Sequence, residues 1–349
     1  VRTAFFRPRF LKGVIVALAA GFLFDSRALA RSLPSRPAQN AAPSASAGVT
    51  LNGVAYVDVA EFAQRLGVKS AWLKKGERLA LTRDGLRIEI QADSREIAVN
   101  GVRVFMGEGA RLHQRTLRVS KIDAERLLTP LIHPGHGQNR QPPLKIIALD
   151  AGHGGRDPGK ENRTLRVNEK TFTLDVVRRL EKLLEQQGYQ VVLTRQSDTY
   201  VELGARADLA TRAGADLFIS VHFNSVGSDT QRVSGSETYT MTPRFQRSTI
   251  DNERDASDGI ANPGNAHDHW NALLGYHVHR SLLQDLKTFD RGLKRGRLAV
   301  LRLATCPAVL VEAGYLSHDA EAKKIATSAY RQRIAQAIAN GVSAYAAAQ

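Results

Sequence analysis

Two histidines and two glutamates interrupt otherwise apolar stretches of the chain. They are His153 in Asp150-Ala-Gly-His-Gly-Gly155, Glu169 directly behind Asn168, His222 in Val221-His-Phe-Asn224, and Glu312 in Val309-Leu-Val-Glu-Ala-Gly314. Two imidazole nitrogens and one carboxylate suit Zn²⁺, and a fourth position left to water marks a catalytic rather than a structural site. The second carboxylate then has a task. Zinc lowers the pKa of its water toward ~7, and a carboxylate in reach can take that proton and pass it to a leaving nitrogen. Singly, each residue has a plainer reading. A histidine ending a buried strand is more often hydrogen-bonded packing, and Glu169 alone is a favourable charge at a helix N-terminus. Glu312 is harder to dismiss, because a carboxylate placed after Val-Leu-Val incurs a desolvation cost unless a cation offsets it. The conjunction carries the signal.

The elements that must position these residues alternate between strand and helix. Residues 145–149 form an apolar run, and Phe172, Val176, Leu180 and Leu183/Leu184 recur at helical spacing until Gly188. Strands follow over 190–194, 216–221 and 237–241, helices over 203–213 and 270–289. Two closing strands are expected over 298–303 and 307–312, and Tyr330, Ile334, Ile338 and Val342 mark a final helix. The pattern predicts an α/β domain over 144–347: a mostly parallel, twisted sheet with helices on both faces. Ligands bind such sheets outside the carboxyl ends of the strands, where His153, His222 and Glu312 fall, and Glu169 behind its N-cap Asn168 lies on the same edge.

The rest of the chain is read as an address, a tether and a small module. Residues 1–30 combine a positive start (Arg2, Arg7, Arg9, Lys12), a twelve-residue apolar run over 13–24 and Ala28-Leu-Ala30, which together predict a secretory signal peptide. Twelve apolar residues fall short of the ~20 needed to span a membrane, so no stable membrane span is expected. Residues 31–48, rich in Pro, Ser and Ala, read as a flexible linker. Residues 49–132 read as a small α+β domain with Asn-Gly turns at 52–53 and 100–101, and 133–143 as a second linker. The 349 residues carry a formal charge of +15; losing five of the 49 Lys/Arg and one of the 34 Asp/Glu with the leader leaves +11. Export removes such a protein from chromosomal DNA, so no nucleic-acid partner is expected, and the polyanions within reach are envelope components. The single Cys306 excludes an internal disulfide and any zinc site of two or more thiolates within the chain.

Six stretches also carry a resemblance: Leu149-Asp-Ala-Gly-His-Gly-Gly-Arg-Asp-Pro-Gly159, Asn168-Glu-Lys170, Val191-Val-Leu-Thr-Arg195, Ser220-Val-His-Phe-Asn-Ser225, Asp290-Arg-Gly-Leu-Lys294 and Pro307-Ala-Val-Leu-Val-Glu-Ala-Gly-Tyr-Leu-Ser317. In order and spacing they resemble the zinc-dependent N-acetylmuramoyl-L-alanine amidases of the amidase-3 family. The resemblance implies that His153, Glu169 and His222 hold Zn²⁺ and that Glu312 is the catalytic acid/base. It implies hydrolysis of the amide between N-acetylmuramic acid and L-alanine in peptidoglycan, for wall remodelling or daughter-cell separation, by an exported enzyme of the periplasm or envelope. Another zinc amide hydrolase of the envelope, a peptidase or deacetylase, and a non-catalytic peptidoglycan-binding protein are the alternatives. Residues 49–132 resemble the copper amine oxidase N-terminal-like domain, with Gly67 and Trp72 in its pattern but no cluster of metal ligands.

Further candidates surround this site. Asn224, Arg291 and Lys294 are candidates for substrate or supporting contacts, the two cations in a basic run read as holding stem-peptide carboxylates or as a solvated loop. Residues 242–268 form a polar insertion, and some cell-division amidases that this chain resembles carry an inhibitory segment at this place. Glu253, or an aspartate near it, is therefore a candidate ligand for the open zinc position, with an activator protein as the partner that would displace it; a solvated loop is the plainer reading. Gly154 to Lys160 fits GxxxxGK, but Glu161 stands where a phosphate loop needs Ser or Thr. His267/His269 and His277/His279 are two apart, which on a helix points the side chains away from each other.

Overall fold

A computed structural model describes residues 48–135, 143–251 and 253–349. The expected leader and nearly all of the first linker lie outside the described residues, as do 136–142 of the second.

Both Asn-Gly pairs make the tight turns their sequence favours. Asn52 (φ 49°) and Gly53 (φ 76°) join strands β1 (Val49–Leu51) and β2 (Val54–Asp58), and Asn100 and Gly101 repeat this between β6 (Glu96–Val99) and β7 (Val102–Phe105). Between them lie α1 (Val59–Arg65), β3 (Lys69–Lys74), β4 (Arg78–Arg83) and β5 (Leu86–Gln91). Asp58 caps α1, accepting from the Ala60 and Glu61 amides. β8 (Arg111–His113) and β9 (Thr116–Ser120) follow. A second helical stretch spans α2 (Lys121–Asp123), a π turn over Ala124–Leu128, and α3 (Thr129–Ile132).

The larger part begins with β10 (Ile146–Ala151) and a short ribbon of β11 (Glu161–Asn162) and β12 (Val167–Asn168). Then come α4 (Glu169–Gln186), β13 (Gln190–Leu193), α5 (Leu203–Arg212), β14 (Leu217–Asn224) and β15 (Ser236–Thr240). The chain closes with α6 (Asp268–Leu286), β16 (Asp290–Arg295), α7 (Ala299–Leu303), β17 (Ala308–Tyr315), α8 (Asp319–Ile325) and α9 (Ser328–Ala348).

Period-two alternation explains why helices cover both faces. Ile147, Leu149, Ile219, Val221, Val309 and Val311 point into a core with α4, α6 and α9, whereas Ala148, Phe218, Ala308 and Leu310 point to a second core with α5 and α7. Two differences from the expected elements fall next to each other in the chain. The strand expected over 298–303 is replaced by the short helix α7, because a six-residue, mostly apolar run has no periodicity that separates strand from buried helix. The strand is instead Asp290–Arg295, whose charges hid it.

One sheet of eleven strands runs through the molecule in the order β13-β10-β14-β17-β15-β16-β7-β6-β5-β4-β3. β10, β13, β14 and β17 are parallel, β15 is antiparallel to β17, and β16 lies parallel to both β15 and β7. The N-terminal module thus extends the α/β sheet at β16. Its core of Leu81, Ile88, Ile90, Val104 and Leu128 also takes in Ala272, Tyr276 and Leu293 from α6 and β16.

Candidate active site

His153, Glu169 and His222 meet at the carboxyl edge of the sheet, each offering one ligand atom within 4.8 Å of the others. Among the described residues they are the only group of three or more His, Cys, Asp or Glu side chains placed to share an ion. His222 lies near the carboxyl end of β14, Glu169 opens α4, and His153 sits in the loop after β10 with a left-handed φ of 62°. Glu169 Oε1 lies 3.1 Å from His153 Nε2 and 3.0 Å from His222 Nδ1 and accepts from the Phe223 amide at 2.9 Å; Oε2 accepts from the Lys160 amide at 2.9 Å. Burial opposes charge on Glu169, but the two imidazoles outweigh it and hold its carboxyl well below the usual range. His153 is raised despite burial, because Glu169 and Asp157 favour its charged form. Asp157 Oδ2 fixes the far ring nitrogen, Nδ1, at 2.9 Å, the outer-shell support a metal-binding imidazole needs.

Backbone and buried charge hold the loops in place. A Cβ on Gly152 would lie 2.3 Å from the His222 ring, and one on Gly159 2.6 Å from His153 and 2.7 Å from Glu169 Oε2. Arg195 donates to the carbonyls of Ala151, Gly152 and Lys170; Arg206 donates to those of Ala151 and His153 and pairs at 2.8 Å with the fully buried Asp150. Asp150 also accepts from Thr194 and Ser220. Its carboxyl is held low, since Arg206 and these hydroxyls outweigh the burial that would raise it.

Glu312 lies on β17 in register with His222 on one side and Glu237 of β15 on the other. Its Oε2 is shielded and has no hydrogen-bond partner. Burial, then the Glu169 and Glu237 charges, push its carboxyl well above the usual range, with Lys294 pulling the other way. Glu237 was not singled out in the sequence, yet the three supporting candidates converge on it. Asn224 and Lys294 bond to its carboxylate, Arg291 Nε is 3.8 Å from it, and the Tyr239 and Tyr315 hydroxyls donate at 3.1 and 3.2 Å. The cations of the basic run therefore meet an internal carboxylate. Only a buried acid inside an alternating strand could have flagged Glu237, and its neutralising lysine is 57 residues away.

The remaining candidates lie elsewhere. Glu253 lines a cavity with Tyr56, Glu108 and Arg111 of the N-terminal module and is not brought to the triad. His279 bonds Thr238 and Asp290, His269 bonds the Pro134 carbonyl, and His277 is pushed down to about 4 by burial. Two cavities are relevant, the first lined by two members of the triad and the second by Gly159 and Lys160, whose amide bonds Glu169. One of about 280 Å³ is largely apolar, with Tyr200, Val201, Leu203 and Val300 beside His153 and His222; one of about 720 Å³ is polar, with Lys160, Arg163, Gln231 and Ser317.

Comparison with known proteins identifies the family. Residues 147–344, more than half the chain, match the family described as N-acetylmuramoyl-L-alanine amidase, and residues 38–120 match the copper amine oxidase N-terminal domain. The chain is 32% identical over 254 residues to the N-acetylmuramoyl-L-alanine amidase AmiC of Neisseria meningitidis, covering 66% of this chain and 59% of that one. It is 29% identical over 222 residues to AmiA of Escherichia coli, covering 58% and 76%. It spans 59% of the Neisseria protein and 51% of a probable amidase AmiB of Haemophilus influenzae, so these relatives extend well beyond the match. Among solved structures, the catalytic domain of CwlV from Bacillus (Paenibacillus) polymyxa is similar at 32% identity and a TM-score of 0.48, covering 59% of this chain and all of that one. With the family matched across residues 147–344, the chain belongs to the N-acetylmuramoyl-L-alanine amidase family.

Proposed function

We propose that this protein is an exported, zinc-dependent hydrolase that cleaves the amide between N-acetylmuramic acid and L-alanine in peptidoglycan, in wall remodelling or daughter-cell separation. The observation that carries the reading is the His153–Glu169–His222 cluster beside Glu312, a shielded carboxylate whose Oε2 has no partner in the protein. The donor set fits the ion. Glu169 is held ionised, His153 has its far nitrogen anchored, and two nitrogens with one oxygen are the ligands of an open zinc site. A bound zinc ion supplies Lewis acidity that activates water and polarises the amide carbonyl.

The protein's own groups do the rest. Glu312 stands next to His222 across one strand pair, where its carboxylate can accept the proton of the attacking water and return it to the departing alanine nitrogen. A carboxyl raised above its ordinary range suits that exchange, because it holds the proton taken from water more firmly than an exposed carboxylate would until the nitrogen departs. Glu237, paired with Lys294, keeps a second carboxylate beside Glu312 without opening that position to solvent. The largely apolar cavity lined by His153 and His222 supports a substrate with a compact arm beside the triad. Among the described residues, no helix is long and apolar enough to cross a membrane.

Digestion of purified peptidoglycan with and without a chelator, followed by mass spectrometry of the new ends, tests the reading. Free L-alanine amino termini beside intact glycan, abolished by chelation and restored by zinc, are expected. Cut cross-bridges, deacetylated sugars or no product would each overturn it.

A further inference from the structure

Strand β16 belongs to two structures at once. On one side it pairs with β15, which carries Glu237; on the other it meets β7 of the N-terminal module, Leu293 opposite Val104. The module holds it at both ends. At its start, Asp290 Oδ2 accepts from the Arg103 amide at 2.8 Å, and the Arg103 guanidinium donates to the Asp290 carbonyl at 2.9 Å. Asp290 Oδ1 meanwhile faces His279 at 2.9 Å and accepts from the Gly292 amide. At its end, the buried Arg295 guanidinium pairs with the buried Asp123 of the module at 3.1 Å and donates to Gln246 of the insertion. Asp123 is itself fixed by Ser120 and the Gly107 and Glu108 amides. Between these two anchors β16 presents Arg291 and Lys294 to Glu237.

We propose that the N-terminal module is a positioning device for the acid/base end of the site: by clamping Asp290 and Arg295 it sets the register of β16, and through Lys294 and Glu237 the placement of Glu312. Asp123 and Arg103 are positioning residues in this scheme, for they touch neither the triad nor Glu312. The inference rests on the amidase reading for its kinetic test and on the fold alone for its structural one.

Asp123→Asn, Lys294→Gln and the double variant are compared in the full chain, with Leu81→Ala, a buried residue of the module core away from β16, as a control for destabilisation. Kinetics on a soluble muramoyl-peptide are taken below each variant's melting temperature. Asp123→Asn and Lys294→Gln are each expected to lower kcat about tenfold or more, with KM and bound zinc little changed, and the double variant to lose no more than the worse single one. Leu81→Ala should melt earlier at unchanged kcat. Hydrogen exchange in β16 should quicken in Asp123→Asn but not in Leu81→Ala, a readout that needs no turnover. If the wild type releases no stem peptide, the amidase reading fails while the exchange result still judges the clamp. Wild-type kcat in Asp123→Asn, additive losses, or unchanged β16 exchange would overturn the inference.

Discussion

Glu312 and Glu237 show how much one carboxylate depends on another. They face each other across β15 and β17, yet Glu237 has five polar neighbours and Glu312 Oε2 has none. Glu312→Gln keeps the shape and leaves the triad intact, so the variant should bind zinc like the wild type while turnover falls about 10²–10⁴-fold, the usual worth of a positioned acid/base. Zinc analysis beside an activity assay checks both halves. Glu237→Gln removes one of the charges that raise Glu312 and leaves Lys294, which lowers it, without a charged partner. Both changes have the same sign. The limb of the pH–rate profile set by Glu312 should therefore move to lower pH, by about one pH unit, and an unmoved limb would assign it to another group.

At the scale of elements, the rim works because the loop after β10 is held from beneath. Asp150 and Arg206 form a buried pair, and Arg206 reaches the carbonyl of His153 itself. Arg206→Ala would strand a buried carboxylate, which costs about 3–5 kcal/mol when such a pair is broken. Urea unfolding measures that loss. The sign of its pH dependence follows from the depressed carboxyl of Asp150. In the wild type the stabilisation is complete above the unfolded aspartate pKa of about 3.9 and disappears as the pH falls through the lower folded value. In Arg206→Ala that acid-side dependence should shrink. Cys306 belongs to the same face of the sheet; burial pushes its thiol up to about 12, in keeping with an inert packing role.

At the scale of the whole molecule, the insertion over 242–268 joins rather than covers. Gln246 and Ser248 are buried, Gln246 bonds Ser120 and Arg295, and Arg95 of the module donates to the carbonyls of Arg247 and Ser248. Arg254 pairs with Glu108 of the module at 2.6 Å. Deleting residues 244–266 should therefore destabilise the protein without activating it. The loss includes about 1–3 kcal/mol for the partner that buried Arg295 forfeits. Thermal melting and a peptidoglycan assay on the deletion would check the two outcomes together, and a gain in rate would restore an inhibitory role.

The amino-acid sequence by itself determined the α/β alternation, the Asn-Gly turns and the polar residues toward the carboxyl ends of β10, β14 and β17. These are local matters of periodicity and turn chemistry, readable without a partner. It also offered the candidate triad, since two histidines and a carboxylate on one sheet edge suit a zinc ion. Tertiary structure decided the rest, because the rest depends on pairing between distant segments. Residues 290–295 carry four charges in six positions and read as a loop; they are a strand because β15 and β7 supply hydrogen bonds and because Glu237, Asp290 and Asp123 find cations or donors there. The apolar run at 298–303 became a helix because it packs beside α5. The N-terminal module, read as a separate piece on a linker, shares the sheet and part of its core with the α/β domain, since β7 offers β16 an edge that no local pattern announces.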